Sequence, residues 1–231
     1  MSKPSAIITG AGGAIAGHLV RACAAAGWQL ALIAYDEREE TRLIADHPHA
    51  HVVRGNLADA SAAASTMQAA IASLGAAPNA LFNIAGGFDM ADAVATTPEQ
   101  LEAQLSINLR TAFNATRAVL PGMLERGSGF VLGVGAAAAI DGGASVGAYA
   151  ASKAALVTWL KSLRAEVASN GVEVGIVYPM GAVDTPGNRA AMPKSDPSRW
   201  IDPDELAVTM LHLATRSARG RVLEARVYPP A

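Results

Sequence analysis

Thr9-Gly10-Ala11-Gly12-Gly13-Ala14-Ile15-Ala16-Gly17 is the stretch that decides the fold, because it joins a short apolar run to a helical pattern through a glycine-rich turn. Residues 6–9 are predicted to form a strand and residues 14–26 a helix. Gly27 then ends the helix, as glycine often does just past a helix C-terminus. Such a turn lets a phosphate approach the helix N-terminus, where free N–H groups and the helix dipole favour anions. The stretch therefore predicts a βα unit that binds the pyrophosphate of a dinucleotide.

The alternation of short apolar runs with longer helical patterns continues along the whole chain. Further strand-like runs lie at residues 29–34, 51–53, 80–84, 130–132, 172–177 and 221–228. Strands that alternate with helices indicate βαβ units and a parallel sheet. Because no linker or repeat interrupts the pattern, we predict one domain over residues 1–231. Its expected fold is α/β, a Rossmann-type doubly wound parallel sheet of about seven strands flanked by helices.

Two long helices and one long connection complete this prediction. One helix begins at Thr97, a residue type favoured at the N-cap, and another runs from near Ser145 to Asn170. Residues 179–203, between the sixth strand and the last helix, are rich in proline, aspartate and glycine. Connections of this length are often functional, so we expect residues 179–203 to form a loop on the substrate side.

Composition excludes several classes of protein. The net charge of −2 provides no basic field for nucleic acid, and no apolar run is long enough to span a membrane. The single cysteine, Cys23, cannot form an intramolecular disulfide, and the first residues lack the features of a signal peptide. We therefore expect a cytoplasmic protein without nucleic-acid or membrane partners. His47, His49 and His51 lack a recognised metal-site spacing, so no metal site is predicted.

Tyr149 and Lys153 lie four residues apart in the helix predicted to follow the fifth strand. This spacing places both side chains on one helical face. An ammonium beside a phenol is expected to lower the pKa of that phenol from about 10 towards neutral, so the pair suits general acid catalysis. An exposed pair on a helix surface would show the same spacing, and the spacing alone does not separate the two interpretations.

Together, the glycine-rich stretch and the Tyr149–Lys153 pair resemble the short-chain dehydrogenase/reductase family, and the resemblance extends over nearly the whole chain. The family's usual loop is Thr-Gly-x-x-x-Gly-x-Gly; here Ala14 and Ala16 replace its second and third glycines. The resemblance implies an NAD(P)-dependent oxidoreductase that acts on a small molecule. It implies that the cofactor is bound by Gly10, Gly12, Gly13, Ala14, Ile15, Asn83, Ala85, Gly86, Tyr149, Lys153, Pro179 and Thr185.

The resemblance also implies roles for individual residues. Tyr149 would be the catalytic acid, and Lys153 would bind the nicotinamide ribose and tune Tyr149. Asn108 matches the helical asparagine that holds a water in the family's proton relay; its alternative is a polar residue satisfied within a helix. Residues 83–86 resemble the family's Asn-Asn-Ala-Gly segment beside the cofactor, and Thr185 would contact the carboxamide end of the cofactor.

The choice between NAD and NADP depends on the end of the second strand. There an acid can bind the ribose hydroxyls, or an arginine can bind the 2′-phosphate. The family's acidic position falls on Ala34, and Tyr35 and Asp36 follow it. Asp36 would repel a 2′-phosphate if it points inward, and Arg38 is the nearest basic residue. The sequence therefore favours NAD slightly over NADP, with Asp36 as the candidate cofactor-binding acid.

The chain departs from the family pattern at the catalytic serine, whose position falls on Ala136. The dihydropteridine reductase branch also has alanine there, and residues 138–142 resemble its Ala-Ala-Leu-Asp-Gly pattern. Residues 85–88 resemble its Ala-Gly-Gly-Trp, whose aromatic side chain suits stacking on a flat ring. An activated acceptor such as a quinonoid dihydropterin needs less polarisation than a plain ketone, so Tyr149 alone would suffice.

Two other functions remain open on the sequence. The first is a carbonyl or alcohol oxidoreductase of unknown substrate. The second is a non-catalytic dinucleotide-binding protein, suggested by alanine at positions 14, 16 and 136. By analogy with the family, the long helices around residues 97–126 and 145–170 are expected to form a homodimer or homotetramer.

Overall fold

A seven-stranded parallel sheet organises the molecule, as a computed structural model of residues 3–231 shows. The strand order is β3-β2-β1-β4-β5-β6-β7. This arrangement confirms the predicted doubly wound α/β fold. The strands are β1 (Ser5–Thr9), β2 (Gln29–Ala34), β3 (His51–Arg54), β4 (Ala80–Asn83), β5 (Gly129–Val134), β6 (Val172–Pro179) and β7 (Glu224–Val227).

Helices cover both faces of the sheet. The α-helices are α1 (Ala14–Ala25), α2 (Glu37–Asp46), α3 (Ala60–Leu74), α4 (Pro98–Leu105), α5 (Thr111–Arg126), α6 (Ala138–Asp141), α7 (Gly147–Val167), α8 (Pro186–Ala191) and α9 (Pro203–Ala214). A π-helical turn at Ser106–Arg110 separates α4 from α5, and 3-10 turns lie at Ala168–Asn170 and Pro197–Arg199. No helix among residues 3–231 combines the length and the apolar character that crossing a bilayer requires.

The central strands are apolar without alternation because both of their faces are buried. Ile8 belongs to a core beneath α1 and α9, which contains Leu19 and Met210. Ile7, its neighbour in the same strand, belongs to a second core beneath α3, α5 and α7, which contains Leu160. Both isoleucines are fully buried. One sheet thus separates two hydrophobic layers and fixes the positions of the strand ends.

The functional edge is set by the point where the strand order reverses. β1 pairs in parallel with β2 on one side and with β4 on the other. The loops that leave β1 and β4 therefore emerge side by side at the carboxyl edge, which is where ligands bind in open α/β sheets.

Three details differ from the sequence-based expectations. The helix that begins after Thr97 is not continuous, because the π-helical turn at Ser106–Arg110 interrupts it. The helix expected from near Ser145 begins at Gly147, since the φ angle of Ser145 is 60° and lies outside the helical region. The 179–203 connection contains α8 and a 3-10 turn, and a bridge between Val183 and Ile201 joins its two ends.

Candidate active site

The glycine-rich loop lies directly against the chain that leaves β4. Gly10 has a φ of +61°, and a Cβ on it would lie 2.6 Å from the Cα of Ala85. Only glycine satisfies both the left-handed backbone and this close approach. The Thr9 hydroxyl oxygen accepts hydrogen bonds from the backbone N–H groups of Ile84 and Ala85, each at 3.1 Å. The β1 and β4 loops are thus held together as one surface.

The N-terminus of α1 is open in a way that suits an anion. Its N-cap is Gly13, no side chain caps it, and its first turn contains no acidic residue. Ala14 is exposed at the helix start, and Ile15 beside it is half-buried. Free N–H groups and the helix dipole at such an end favour a phosphate. The residues present therefore fit the pyrophosphate of a dinucleotide, with alanine at positions 14 and 16 included.

Two acids follow β2, and they have different surroundings. Asp36 caps α2, since its Oδ1 accepts a hydrogen bond of 2.8 Å from the N–H of Glu39. The Glu39 carboxylate turns back instead and accepts a hydrogen bond of 3.0 Å from the N–H of Tyr35. A Cβ on Gly12 would lie 2.6 Å from Glu39 Oε1. Glu39 is thus the acid that lies against the glycine-rich loop.

The sequence analysis missed Glu39, although a pattern for it exists. Asp-x-x-Glu at residues 36–39 is a capping-box pattern, in which the fourth side chain folds back to the helix start. Arg42, one turn further along α2, donates a 2.6 Å hydrogen bond to the carbonyl of Gly12. Of these two side chains of α2, Arg42 is hydrogen-bonded to the glycine-rich loop and Glu39 lies against it.

Asn108 and Lys153 meet at the backbone of Gly86. A Cβ on Gly86 would lie 2.8 Å from Asn108 Oδ1 and 3.3 Å from Lys153 Nζ. Lys153 of α7 is buried, and its Nζ donates a 2.9 Å hydrogen bond to the carbonyl of Val134 at the end of β5. Gly10 lies against Ala85 and Lys153 lies near Gly86, so the glycine-rich loop and Lys153 adjoin two consecutive residues of the β4 loop.

The fully buried Asn108 lies within the π-helical turn. Its amide accepts a hydrogen bond from the N–H of Gly87 and donates to the carbonyl of the same residue, each at 3.0 Å. The Nδ2 group also lies 3.1 Å from Gln104 Oε1 and from Ser152 Oγ. Its side chain thus holds the β4 loop in place. π-helical turns are often found at functional sites because they redirect backbone groups.

Tyr149 lies in the first turn of α7 and packs its ring against Phe88. The ring centroids are 4.9 Å apart with an interplanar angle of 75°, an edge-to-face pair. Burial raises the pKa of Tyr149 to about 12 and lowers the pKa of Lys153 to about 8. Desolvation by burial causes both shifts, and a lowering of the pKa of Tyr149 by Lys153 stays a prediction. A phenol with so high a pKa is fully protonated at neutral pH.

The position of the expected serine is filled by a buried methyl group. Ala136 is 7% exposed, and its neighbour Ala137 donates a 3.1 Å hydrogen bond from its N–H to the carbonyl of Pro179 at the end of β6. The hydroxyl of Ser145, in the same loop, donates to Asp92 Oδ1 at 2.5 Å. Ser145 is thus engaged with the β4 loop.

The remaining predicted site residues lie at the end of a strand or at the start of a helix. Asn83 ends β4, is buried, and donates from Nδ2 to Thr116 Oγ1 at 3.1 Å. Thr185 caps α8, since its hydroxyl oxygen accepts a hydrogen bond from the N–H of Asn188 at 3.2 Å. A cavity of about 530 Å³ lies under the 179–203 connection, lined among others by His18, Pro186 and Trp200.

Comparison with known proteins agrees with this geometry. The family model described as short chain dehydrogenase matches residues 4–196. The chain is 34% identical to 2,3-dihydro-2,3-dihydroxybenzoate dehydrogenase of Bacillus subtilis over 184 residues, which cover 78% of this chain and 70% of that protein. It is 29% identical to the short chain dehydrogenase adrF of Penicillium roqueforti over 219 residues, which cover 94% of this chain and 82% of that protein.

Solved structures support the same assignment. A short-chain dehydrogenase from Streptomyces avermitilis superposes with a TM-score of 0.85 at 26% identity, covering 98% of this chain and 89% of that one. The family match covers most of the chain, and the superposition covers nearly all of it. This chain therefore belongs to the short-chain dehydrogenase family of NAD(P)-binding oxidoreductases.

Proposed function

We propose that this protein is a reductase that transfers a hydride from a nicotinamide dinucleotide to a small planar acceptor, with Tyr149 as the proton donor. One observation carries the proposal: the glycine-rich loop and Lys153 meet at residues 85–86. A dinucleotide whose pyrophosphate lies at the start of α1 extends from there towards Lys153 and Tyr149. The bound cofactor supplies the hydride, and this chain supplies the proton.

Each residue then has a defined task. The Tyr149 hydroxyl donates its proton to the oxygen or nitrogen of the acceptor as that atom gains negative charge. Lys153, with a pKa of about 8, is mostly protonated at neutral pH; its ammonium binds the nicotinamide ribose and favours the phenolate form of Tyr149 that remains. Asn108 holds the β4 loop and contributes to the proton relay from the π-helical turn. Pro179 and Thr185 border the nicotinamide end, and Asn83 supports the β4 end.

The first experiment is a fluorescence titration with NADH and with NADPH, followed by turnover assays with quinonoid dihydropterins and simple ketones. Micromolar binding of either cofactor together with turnover supports the proposal. Binding without turnover of any acceptor favours a non-catalytic dinucleotide-binding protein. Failure to bind both cofactors contradicts both functions.

Three features of the site support the acceptor class. Ala136 has no hydroxyl to polarise a carbonyl oxygen, so the acceptor must already be reactive. Phe88 is 61% exposed beside Tyr149, and such a ring packs well on a flat molecule. Within residues 86–96 and 136–147, the two loops beside Tyr149, the sequence contains no lysine, arginine or histidine. These features support an uncharged planar acceptor such as a quinonoid dihydropterin, and an ordinary carbonyl or alcohol substrate is the alternative.

The Ala136→Ser variant tests this class. A restored hydroxyl is expected to raise kcat/KM for a simple ketone about tenfold, the equivalent of about 1.4 kcal/mol of transition-state stabilisation. The quinonoid pterin should be affected less than threefold, since it needs little polarisation. Ala137→Ser, one residue further along, is the matched control. Unchanged ketone turnover in Ala136→Ser contradicts the proposed reason for the missing serine.

We further propose that the protein prefers NAD, because Glu39 lies where a 2′-phosphate would approach the glycine-rich loop. Its carboxylate is held by the N–H of Tyr35 beside Gly12, whereas the Asp36 carboxylate is occupied as a helix cap. A carboxylate accepts hydrogen bonds from ribose hydroxyls and repels a phosphate. Glu39 therefore takes the role that the sequence suggested for Asp36.

Binding measurements on Glu39→Gln test the preference. Loss of the charge should tighten NADPH binding relative to NADH by about tenfold, or about 1.4 kcal/mol. Glu37→Gln is the control, because the Glu37 side chain is 86% exposed on the same helix. If the ratio of the NADPH and NADH dissociation constants is the same in both variants and in the unmodified protein, Glu39 does not have this role.

We propose a homodimer or homotetramer formed through α5 and α7. Phe113 of α5 is 42% exposed, and its ring lies 5.5 Å from that of Trp159 of α7. A partly exposed aromatic pair on neighbouring long helices suits a contact with a second copy. Sedimentation of the unmodified protein and of Phe113→Glu tests it; a monomer in both cases contradicts the proposal.

A further inference from the structure

Ser145 holds a backbone conformation that its side chain must compensate. It is the one non-glycine residue with positive φ among residues 3–231, at 60°, and it lies two residues before α7. A non-glycine residue in this region costs about 1–3 kcal/mol. Glycine would remove the strain, and the same loop uses glycine at positions 142 and 143, which also have positive φ. The conformation therefore needs a compensating interaction that a glycine would not provide.

That interaction joins two loops that lie far apart in the sequence. The Ser145 hydroxyl donates to Asp92 Oδ1 at 2.5 Å, and the Ser145 carbonyl accepts a 2.8 Å hydrogen bond from the N–H of Ala91. A hydrogen bond to a carboxylate is stronger than one between neutral groups. We call these two hydrogen bonds the inter-loop bridge.

The inter-loop bridge lies on one side of Phe88, and a second attachment lies on the other. Gly87 is fixed by two hydrogen bonds to Asn108, and Asp92 is fixed by Ser145. Between them, the ring of Phe88 is mostly exposed and packs against Tyr149. A side chain that is 61% exposed depends on such attachments of its loop for its position.

We propose that Ser145 and Asp92 are positioning residues that hold Phe88 beside Tyr149 and so set the affinity for planar aromatic acceptors. Ser145 lies four residues before Tyr149, so the bridge fixes the spacing between the Phe88 segment and the start of the helix that carries the acid. The proposal rests on the proposed function for its kinetic consequence, whereas the bridge itself is measurable without any substrate.

The first test uses the free protein. Hydrogen exchange of the Ala91 amide, followed by NMR, should accelerate at least about tenfold in Asp92→Ala and in Ser145→Ala, since each loses the side-chain hydrogen bond. Asp92→Asn keeps an acceptor oxygen and should restore most of the protection. Ser65→Ala, whose hydroxyl bonds only to its own helix, is the control. Unchanged exchange of Ala91 in every variant overturns the proposal.

The second test uses turnover of 9,10-phenanthrenequinone as a planar probe and cyclohexanone as a non-planar one. Asp92→Ala and Ser145→Gly should raise KM for the quinone about tenfold, with kcat within twofold and the NADH dissociation constant unchanged. KM for cyclohexanone should stay within twofold. The glycine variant removes the strain, so it separates positioning from folding. An equal KM change for both probes, or none for either, overturns the proposal.

The two proposals fail in different ways. If the protein binds no dinucleotide, the proposed function fails while the exchange measurement still reports on the bridge. If turnover occurs but the KM values and the Ala91 exchange rate do not respond, the bridge proposal fails and the reductase remains.

Discussion

The cofactor end and the catalytic end of this site depend on different parts of the chain. At the proposed cofactor end, the binding groups belong to the backbone: the left-handed Gly10, the uncapped start of α1 and the close approach to Ala85. At the proposed catalytic end they are side chains: the Tyr149 phenol and the Lys153 ammonium, with the methyl group of Ala136 where a serine was expected. Both ends meet at residues 85–86. They therefore differ in the kind of group that is used, backbone or side chain, and not in their position in the fold.

This difference predicts which departures from the family pattern the site tolerates. Replacing glycine by alanine at positions 14 and 16 leaves the backbone of α1 regular, and Ala16 packs in the core at no exposure. In our proposal, alanine in place of serine at position 136 removes a side-chain hydrogen-bond donor. A site built from backbone tolerates small side-chain changes, whereas a site built from side chains changes its chemistry.

The largest expected effect is that of Tyr149→Phe, which breaks the catalytic end alone. Loss of the proton donor should lower kcat by about 10³-fold, within the range of general acid catalysis. The NADH dissociation constant should stay within twofold, since the cofactor end is unchanged. Steady-state assays and a fluorescence titration check both values. Tyr228→Phe, an exposed tyrosine outside the site, is the control, and substantial turnover by Tyr149→Phe would remove it as the acid.

The next effect is that of Gly10→Ala, which breaks the cofactor end. A methyl group there combines a strained φ with a collision against Ala85, so unfolding free energy should fall by about 3 kcal/mol and NADH binding should be lost. Gly27→Ala separates the two causes. Gly27 has a similar φ of +80° with open space around it, and about 1 kcal/mol is expected. Equal losses in urea unfolding would show that the contact with Ala85 contributes nothing.

The smallest expected effect concerns Lys153 at the catalytic end and the pH dependence of the free energy of unfolding. The pKa of Lys153 is about 8 in the folded protein and near 10.4 when unfolded. Between these values the unfolded chain binds more protons, so Lys153 makes stability rise as pH increases, and its cost is complete below pH 8.

Lys153→Met should therefore raise the unfolding free energy at pH 7 by about 2 kcal/mol, after allowance for the lost hydrogen bond to Val134. This gain in unfolding free energy should be smaller at pH 10. The variant should have no turnover. Urea unfolding at the two pH values measures the change, with Lys161→Met, a half-exposed lysine, as the control. If Lys153→Met lowers the unfolding free energy at pH 7, the Lys153 ammonium is better solvated than its burial indicates.

The fold and the cofactor loop followed from the sequence because local patterns encode them. Apolar runs of strand length alternating with helical periods indicated a parallel sheet, and the glycine-rich turn after the first strand indicated the proposed phosphate site. The Asp-x-x-Glu pattern at residues 36–39 indicates that Glu39 folds back to the helix start, but it does not say which acid lies against the glycine-rich loop. Only the folded start of α2 shows that one carboxylate caps the helix while the other lies against Gly12.

The sequence by itself thus determined the α/β architecture, the position of Gly10 and the spacing of Tyr149 and Lys153, since each depends on residues close together in the chain. Tertiary structure decided the rest. It interrupted the helix at Asn108 with a π-helical turn, joined Ser145 to Asp92 across 53 residues, and raised the pKa of Tyr149. These features arise from burial and from contacts between distant segments, which local sequence patterns do not contain.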